Sequence, residues 1–194
     1  MVELLQKEES KFIARNLRVV NMVLAAKNAL DRELQRIVPL LQARLKEEDW
    51  WERGWEIRHN SSGDEIYLTH SNWSDENSGI IWLGIESFAA DSLFADAEPP
   101  QLYVWIRSKE GQLWQKIATA LEEHLLPADA IAEDCESPAG SSYVILRPLN
   151  RNLPNDEDIN QYLAGIMQET FSFITHYAKV LSKQGLHKQI LGED

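Results

Sequence analysis

The segments IIWLGIESF at Ile80–Phe88 and QLYVWIR at Gln101–Arg107 decide the fold. Both carry apolar side chains at odd and even positions alike, whereas a strand with one wet face alternates. Two-faced strands belong in the middle of a sheet covered on both sides, so these two are read as its central strands. On the N-terminal side, Trp55, Ile57 and His59 alternate, NSSGD at 60–64 makes a polar turn, and Ile66, Leu68 and His70 alternate again. That pattern is a hairpin with one wet face. SNWSDENSG at 71–79 is a loop, and AADSLFADAEPP at 89–100 is an acidic connection ending in two prolines. Beyond the second central strand, Gly111–Leu126 takes the helical period, with Trp114, Ile117, Leu121 and Leu125 on one stripe and Pro127 as its stop. An acidic loop through Ala139–Gly140 then leads to a fifth strand, SYVILRP at 142–148.

Both ends of the chain read as helix. Ile13, Leu17, Val20 and Leu24 follow i, i+4, i+7, i+11 spacing, and Leu30, Leu34, Ile37, Leu41 and Leu45 resume it after a phase slip. Pro39 lacks an amide donor, so it kinks this run or marks the start of a new helix. Near the C-terminus Asn155 caps a long helix after Pro154. Ile159, Leu163, Ile166, Thr170, Phe173, Tyr177 and Leu181 line one face, and Gly185 is placed to stop it. The fold class is therefore α+β: a long N-terminal helical arm and a mostly antiparallel sheet of about five strands, packed by a middle helix and a long C-terminal helix. Residues 1–50 form the arm and residues 51–194 the α+β domain, as one folding unit.

Charge is distributed unevenly over this order. Nineteen Lys and Arg stand against 31 Asp and Glu, a net charge of −12 over 194 residues. Residues 1–60 hold 11 basic and 10 acidic side chains, whereas residues 61–150 hold 4 and 15. An acidic chain is not a general duplex-DNA binder, whose affinity comes from neutralising phosphates. No apolar stretch approaches the roughly 20 residues of a membrane span. The opening MVELLQKEES has neither the basic nor the apolar region of a secretory signal. The single Cys135 excludes an internal disulfide. A cytoplasmic protein is expected.

Residues with chemistry are few. The five histidines form no HExxH; His59 and His70, near Asp64 or Asp75, could face each other at the open end of the first hairpin and hold a metal. Strand-end histidines are more often plain surface residues, and no metal or cofactor is expected. There is no GxSxG elbow and no glycine-rich phosphate cradle, and Cys135 sits in an acidic loop that keeps it a poor nucleophile. No catalytic residue is assigned. Seven tryptophans stand out. Trp50, Trp51 and Trp55 cluster where arm meets sheet, and Trp82, Trp105 and Trp114 read as core packing. Trp73, in a polar loop, is a candidate interface anchor, and Asp91, Asp96 and Glu98 are candidate acidic contacts for a basic partner. Arg15, Arg18, Arg32 and Arg36 are the candidate nucleic-acid contacts.

The junction LKEEDWWERGWEI, followed by hairpin strands, IIWLGIES, LYVWIR, a Trp-bearing helix, YVILRPL and a closing helix, resembles a bacterial arrangement. It is similar to the non-catalytic C-terminal accessory region of some PD-(D/E)XK-superfamily nuclease-like proteins. That superfamily's catalytic core needs Asp/Glu-x-Lys on a strand. Here Glu86 is followed by Phe88 in the lysine position, and Lys109 is preceded by Arg107 in the acid position. The resemblance thus implies an accessory part and carries over no catalytic residue. The expected function is a non-enzymatic interaction or regulatory protein of a bacterium or phage, binding a nuclease or phage-defence component or itself. Two alternatives stand beside it: a nucleic-acid-binding accessory using the basic face of the arm, and an acidic inhibitor or immunity protein that blocks a basic active site.

Overall fold

The computed structural model describes residues 7–71, 80–94, 98–107, 112–132, 141–149 and 159–183. The arm consists of α1 (Glu8–Arg15), α2 (Leu17–Leu34) and α3 (Ile37–Leu45). Asn16 leaves helical geometry at φ −115° and separates α1 from α2, with bonds from Asn16 N to Phe12 O and from Val20 N to Asn16 O, both 3.0 Å, on either side of the break. A second break falls at Gln35–Arg36, and Pro39 lies in the first turn of α3, where its missing donor costs nothing. The phase slip in the apolar pattern, between Leu24 and Leu30, falls inside α2 and not at this break.

Strands β1 (Trp55–His59), β2 (Ile66–His70), β3 (Ile80–Glu86), β4 (Gln101–Arg107) and β5 (Ser141–Pro148) form one antiparallel sheet in the order β1-β2-β3-β4-β5. Asn60 sets the first hairpin's turn, its Oδ1 accepting from Gly63 N at 2.8 Å and Glu65 N at 3.3 Å. Gly63 supplies the left-handed φ of 77°. Along β3 and β4, Ile81, Leu83 and Ile85 stand opposite Ile106, Val104 and Leu102, and all six are buried. Against this face pack α3, α5 (Gln112–Glu122) and α6 (Ile159–Lys183). Leu41 and Leu45, Ile117 and Leu121, and Phe173, Tyr177 and Leu181 fill the space between. Each such aliphatic side chain contributes about 1.5–3 kcal/mol by burial. A fully buried carboxylate, Asp129, ties the layer together: Arg147 Nε of β5 lies 3.1 Å away, and Tyr177 of α6 donates to its second oxygen.

The structure corrects several expectations. Among the described residues the helices cover one face of the sheet, not both. Trp82 and Trp105 point to the opposite face and are only half-buried, so they are not core residues. Apolar side chains on that face shield one another, which gives the same two-sided pattern as a second helical layer. The connection after β3 includes a short helix, α4 (Ala90–Phe94), whose first amide, Ala90 N, is satisfied by Asp31 Oδ1 of α2 at 3.0 Å. Helix α5 ends at Glu122, ahead of Pro127, which has no amide to bond back to the Glu123 carbonyl. His59 pairs with Ile66 and His70 with Trp55, so the two histidines sit at opposite ends of the hairpin. His70 is buried against the Trp55 ring. No helix among the described residues is long and apolar enough to cross a membrane.

Candidate functional site

Two surfaces of unusual composition lie outside the packed core. The first is the arm. Leu34 is the only buried residue of α2, and α1 has none. Lys27 anchors the rod to the body, reaching Asp91 of α4 at 3.1 Å and Asp31 at 3.5 Å; the hydrogen bond to Asp91 is the main reason its ammonium holds its proton more tightly than usual. N-terminal to that anchor the helix is apolar yet open to solvent. Phe12, Leu17, Val19, Met22, Val23 and Leu24 are each more than half exposed, and Ile13 nearly so. Within α2, helical spacing places Val19 and Val23, and Arg18 and Met22, on adjacent rows of one face. From Ser10 to Ala26 the rod carries Lys11, Arg15 and Arg18 and no acidic residue.

The second surface is the face of the sheet that no helix among the described residues covers. Tyr67, Trp82 and Trp105, from three adjacent strands, stack with ring centroids 4.5 and 4.4 Å apart and planes within 28° and 24°. Beside them β3 carries Gly84, where a Cβ would come within 2.1 Å of Ile66 O and 2.8 Å of Tyr67 Cα. The missing side chain lets the Tyr103 ring cross β3 and donate to Glu65 at 2.6 Å, which leaves Tyr103 only 1% exposed. Tyr143 of β5 donates to Glu86 of β3 at 2.8 Å. Glu98 accepts from Gln101 at 2.8 Å.

Three carboxylates thus gather at one end of the aromatic ladder, each hydrogen-bonded to a neutral donor. Burial pushes the Glu86 carboxyl above its ordinary range; the Tyr143 hydrogen bond opposes this, and the charges of Glu65, Glu98 and Asp64 add to it. Burial and the same carboxylates push the Tyr103 and Tyr143 hydroxyls far up, so both remain donors at any physiological pH. The face is an aromatic floor with an electronegative end, suited to receiving a cation flanked by apolar side chains.

The candidate residues fare unequally. Trp73 and Asp96 lie outside the described residues. Asp91 is taken up by Lys27 and binds α4 to α2. Glu98 belongs to the electronegative end of the open face. Arg15, Arg18, Arg32 and Arg36 are all exposed; Arg18 and Arg32 share a stripe of α2, and Arg32 Nε donates to Asn28 O at 3.0 Å. Sequence reading missed Tyr67, Glu65, Glu86, Tyr103 and Tyr143. A usable signal was present in Gly84, since a glycine inside a strand marks close backbone or ring approach.

An open cavity of about 420 Å³ lies between the α5–β5 connection and α6, with Arg147, Gln168, Glu169 and Ser172 in its lining. Arg147 is committed there to Asp129 and, at 3.2 Å, to Glu169. Its role is to neutralise a buried acid. Among the described residues no three His, Cys, Asp or Glu side chains converge to hold a metal ion. The chain matches no protein-family model, no curated protein and no solved structure.

Proposed function

We propose that this chain is a non-enzymatic interaction protein that docks through its N-terminal helical arm. The observation that carries the reading is the run of large apolar side chains from Phe12 to Leu24, exposed on the part of the arm that precedes its contacts with the body at Lys27, Asp31 and Leu34. Contiguous apolar patches of this kind mark protein interfaces, and an amphipathic helix presents them as i, i+3, i+4 and i+7 anchors. The resemblance to nuclease accessory regions supplies the first class of foreign partner to screen, and a bacterial or phage-defence setting would follow from it.

The test is hydrodynamic. The purified full-length chain is compared with a Val19→Asp/Val23→Asp variant by sedimentation and by co-purification with tagged chain. The expected result is an assembly, with itself or with a stoichiometric partner, that the variant loses while its far-ultraviolet dichroism is retained. An unchanged sedimentation profile and unchanged co-purifying protein would count against the arm as the docking element.

A further inference from the structure

Resting on that reading, we propose that the occupant of the open sheet face is the arm of a second copy of this chain, exchanged reciprocally between two molecules. Both surfaces are incomplete alone and complementary in three respects.

The first is size. The ladder of Tyr67, Trp82 and Trp105 spans two centroid steps of 4.5 and 4.4 Å, which is close to the roughly 10 Å width of one helix lying along the strands. On the facing side of the arm, Val19, Met22 and Val23 are each more than half exposed, and reciprocal exchange buries two such faces at once.

The second is spacing. Along β3 the Trp82 position and the Glu86 carboxylate are four residues apart, about 13 Å of strand. On the arm, Arg18 precedes Met22 by four residues along one row of α2, about 6 Å of helix, and its long side chain extends further the same way. A helix laid along β3 with Val19, Met22 and Val23 on the indoles therefore directs Arg18 toward Glu65, Glu86 and Glu98.

The third is charge. Lys11 is paired with Glu8 at 2.9 Å, while Arg15 and Arg18 are exposed with no acidic residue between Ser10 and Ala26, so pairing the apolar stretches of two arms would oppose like charges. The sheet face offers carboxylates at one end and aromatic faces that attract guanidinium groups. This chain already makes that contact internally, with Arg44 at 3.7 Å from the Phe171 ring centroid. Reciprocal exchange closes the contact into a two-fold dimer.

Complementation tests the exchange on full-length chains. One variant loses the arm surface (Val19→Asp/Val23→Asp) and another the receiving face (Trp105→Lys). Each alone should sediment as a monomer, and an equimolar mixture should regain a heterodimer, because one intact arm then meets one intact face. Regained association also proves both variants folded. A mixture that stays monomeric, or a Trp105→Lys chain that dimerises as tightly as wild type, overturns the exchange; in the latter case the arm remains a docking element with a different receptor.

Glu98→Lys carries the same test on an exposed side chain with little packing to lose, and should weaken dimerisation by about tenfold, or 1.4 kcal/mol. Unchanged affinity rejects the proposal. Added salt should loosen an arm–sheet dimer by screening opposite charges; a dimer that tightens with salt instead points to arm–arm pairing and rejects it too.

Discussion

At the scale of single residues, Glu86 shows how the open face is tuned. Its carboxyl is raised chiefly by burial, so the folded chain retains a proton that the unfolded chain has already released. Stability linked to this group is fully present below the unfolded-state value and is lost as pH rises through the folded one. Asp64 runs the other way: hydrogen bonds led by Ser62 hold it low, and its contribution is lost as pH falls through its folded value. Glu86→Gln keeps an oxygen to accept from Tyr143 and removes the charge. Its melting temperature should exceed that of the wild type at neutral pH, with the gap closing toward about pH 4. Scanning calorimetry across that range checks it, and a variant less stable at neutral pH would refute the sign. Little of this was legible in the sequence. Trp82 and Trp105 sit among isoleucines and leucines, and a half-buried indole on an uncovered face has the same neighbours in sequence as one in the core. Asp91 looked like a loop acid because nothing local announces Lys27, which folding brings to it from the arm.

Among the elements, the sheet and the long helices were readable because hydrophobic period alone sets them. Ile81, Leu83 and Ile85 alternate into the core, and Ile166, Thr170, Phe173, Tyr177 and Leu181 keep helical spacing along α6. What period cannot convey is which polar side chains lock the elements together. Arg147 of β5 holds the fully buried carboxylate of Asp129 and reaches Glu169 of α6. Arg147→Met keeps the apolar stem but strands Asp129 without its cation, and should cost about 3–5 kcal/mol. Chemical denaturation measures this. The double variant Arg147→Met/Asp129→Asn should recover much of the loss, because the uncompensated charge rather than the lost contact dominates the cost. A single variant within about 0.5 kcal/mol of wild type would show that the network is slack.

For the molecule as a whole, the arm and the body differ in how they are held. Leu34 is 3% exposed and belongs to the common core, whereas Val23, three turns earlier on the same helix, is 61% exposed. Leu34→Ala should therefore destabilise the fold by about 2–5 kcal/mol, and Val23→Ala should leave global unfolding of the dilute chain within about 0.5 kcal/mol of wild type. Denaturant titration at low concentration separates the two, and equal effects would mean that the arm packs in cis along its whole length. The helical arm and its basic balance were legible in the sequence. The point where it leaves the core was not, since Leu24 and Leu34 look alike until the end of α4 is placed beside Asp31 and Lys27.

The stacked pair of Trp82 and Trp105 has an optical consequence. Two indoles 4.4 Å apart and 24° from parallel couple their ultraviolet transitions, so the open face carries its own chiroptical signal in the near-ultraviolet. Anything that settles on those rings changes the coupling and the polarity around them together, and the chain can report occupancy of the face by its own absorption and emission, without an attached label.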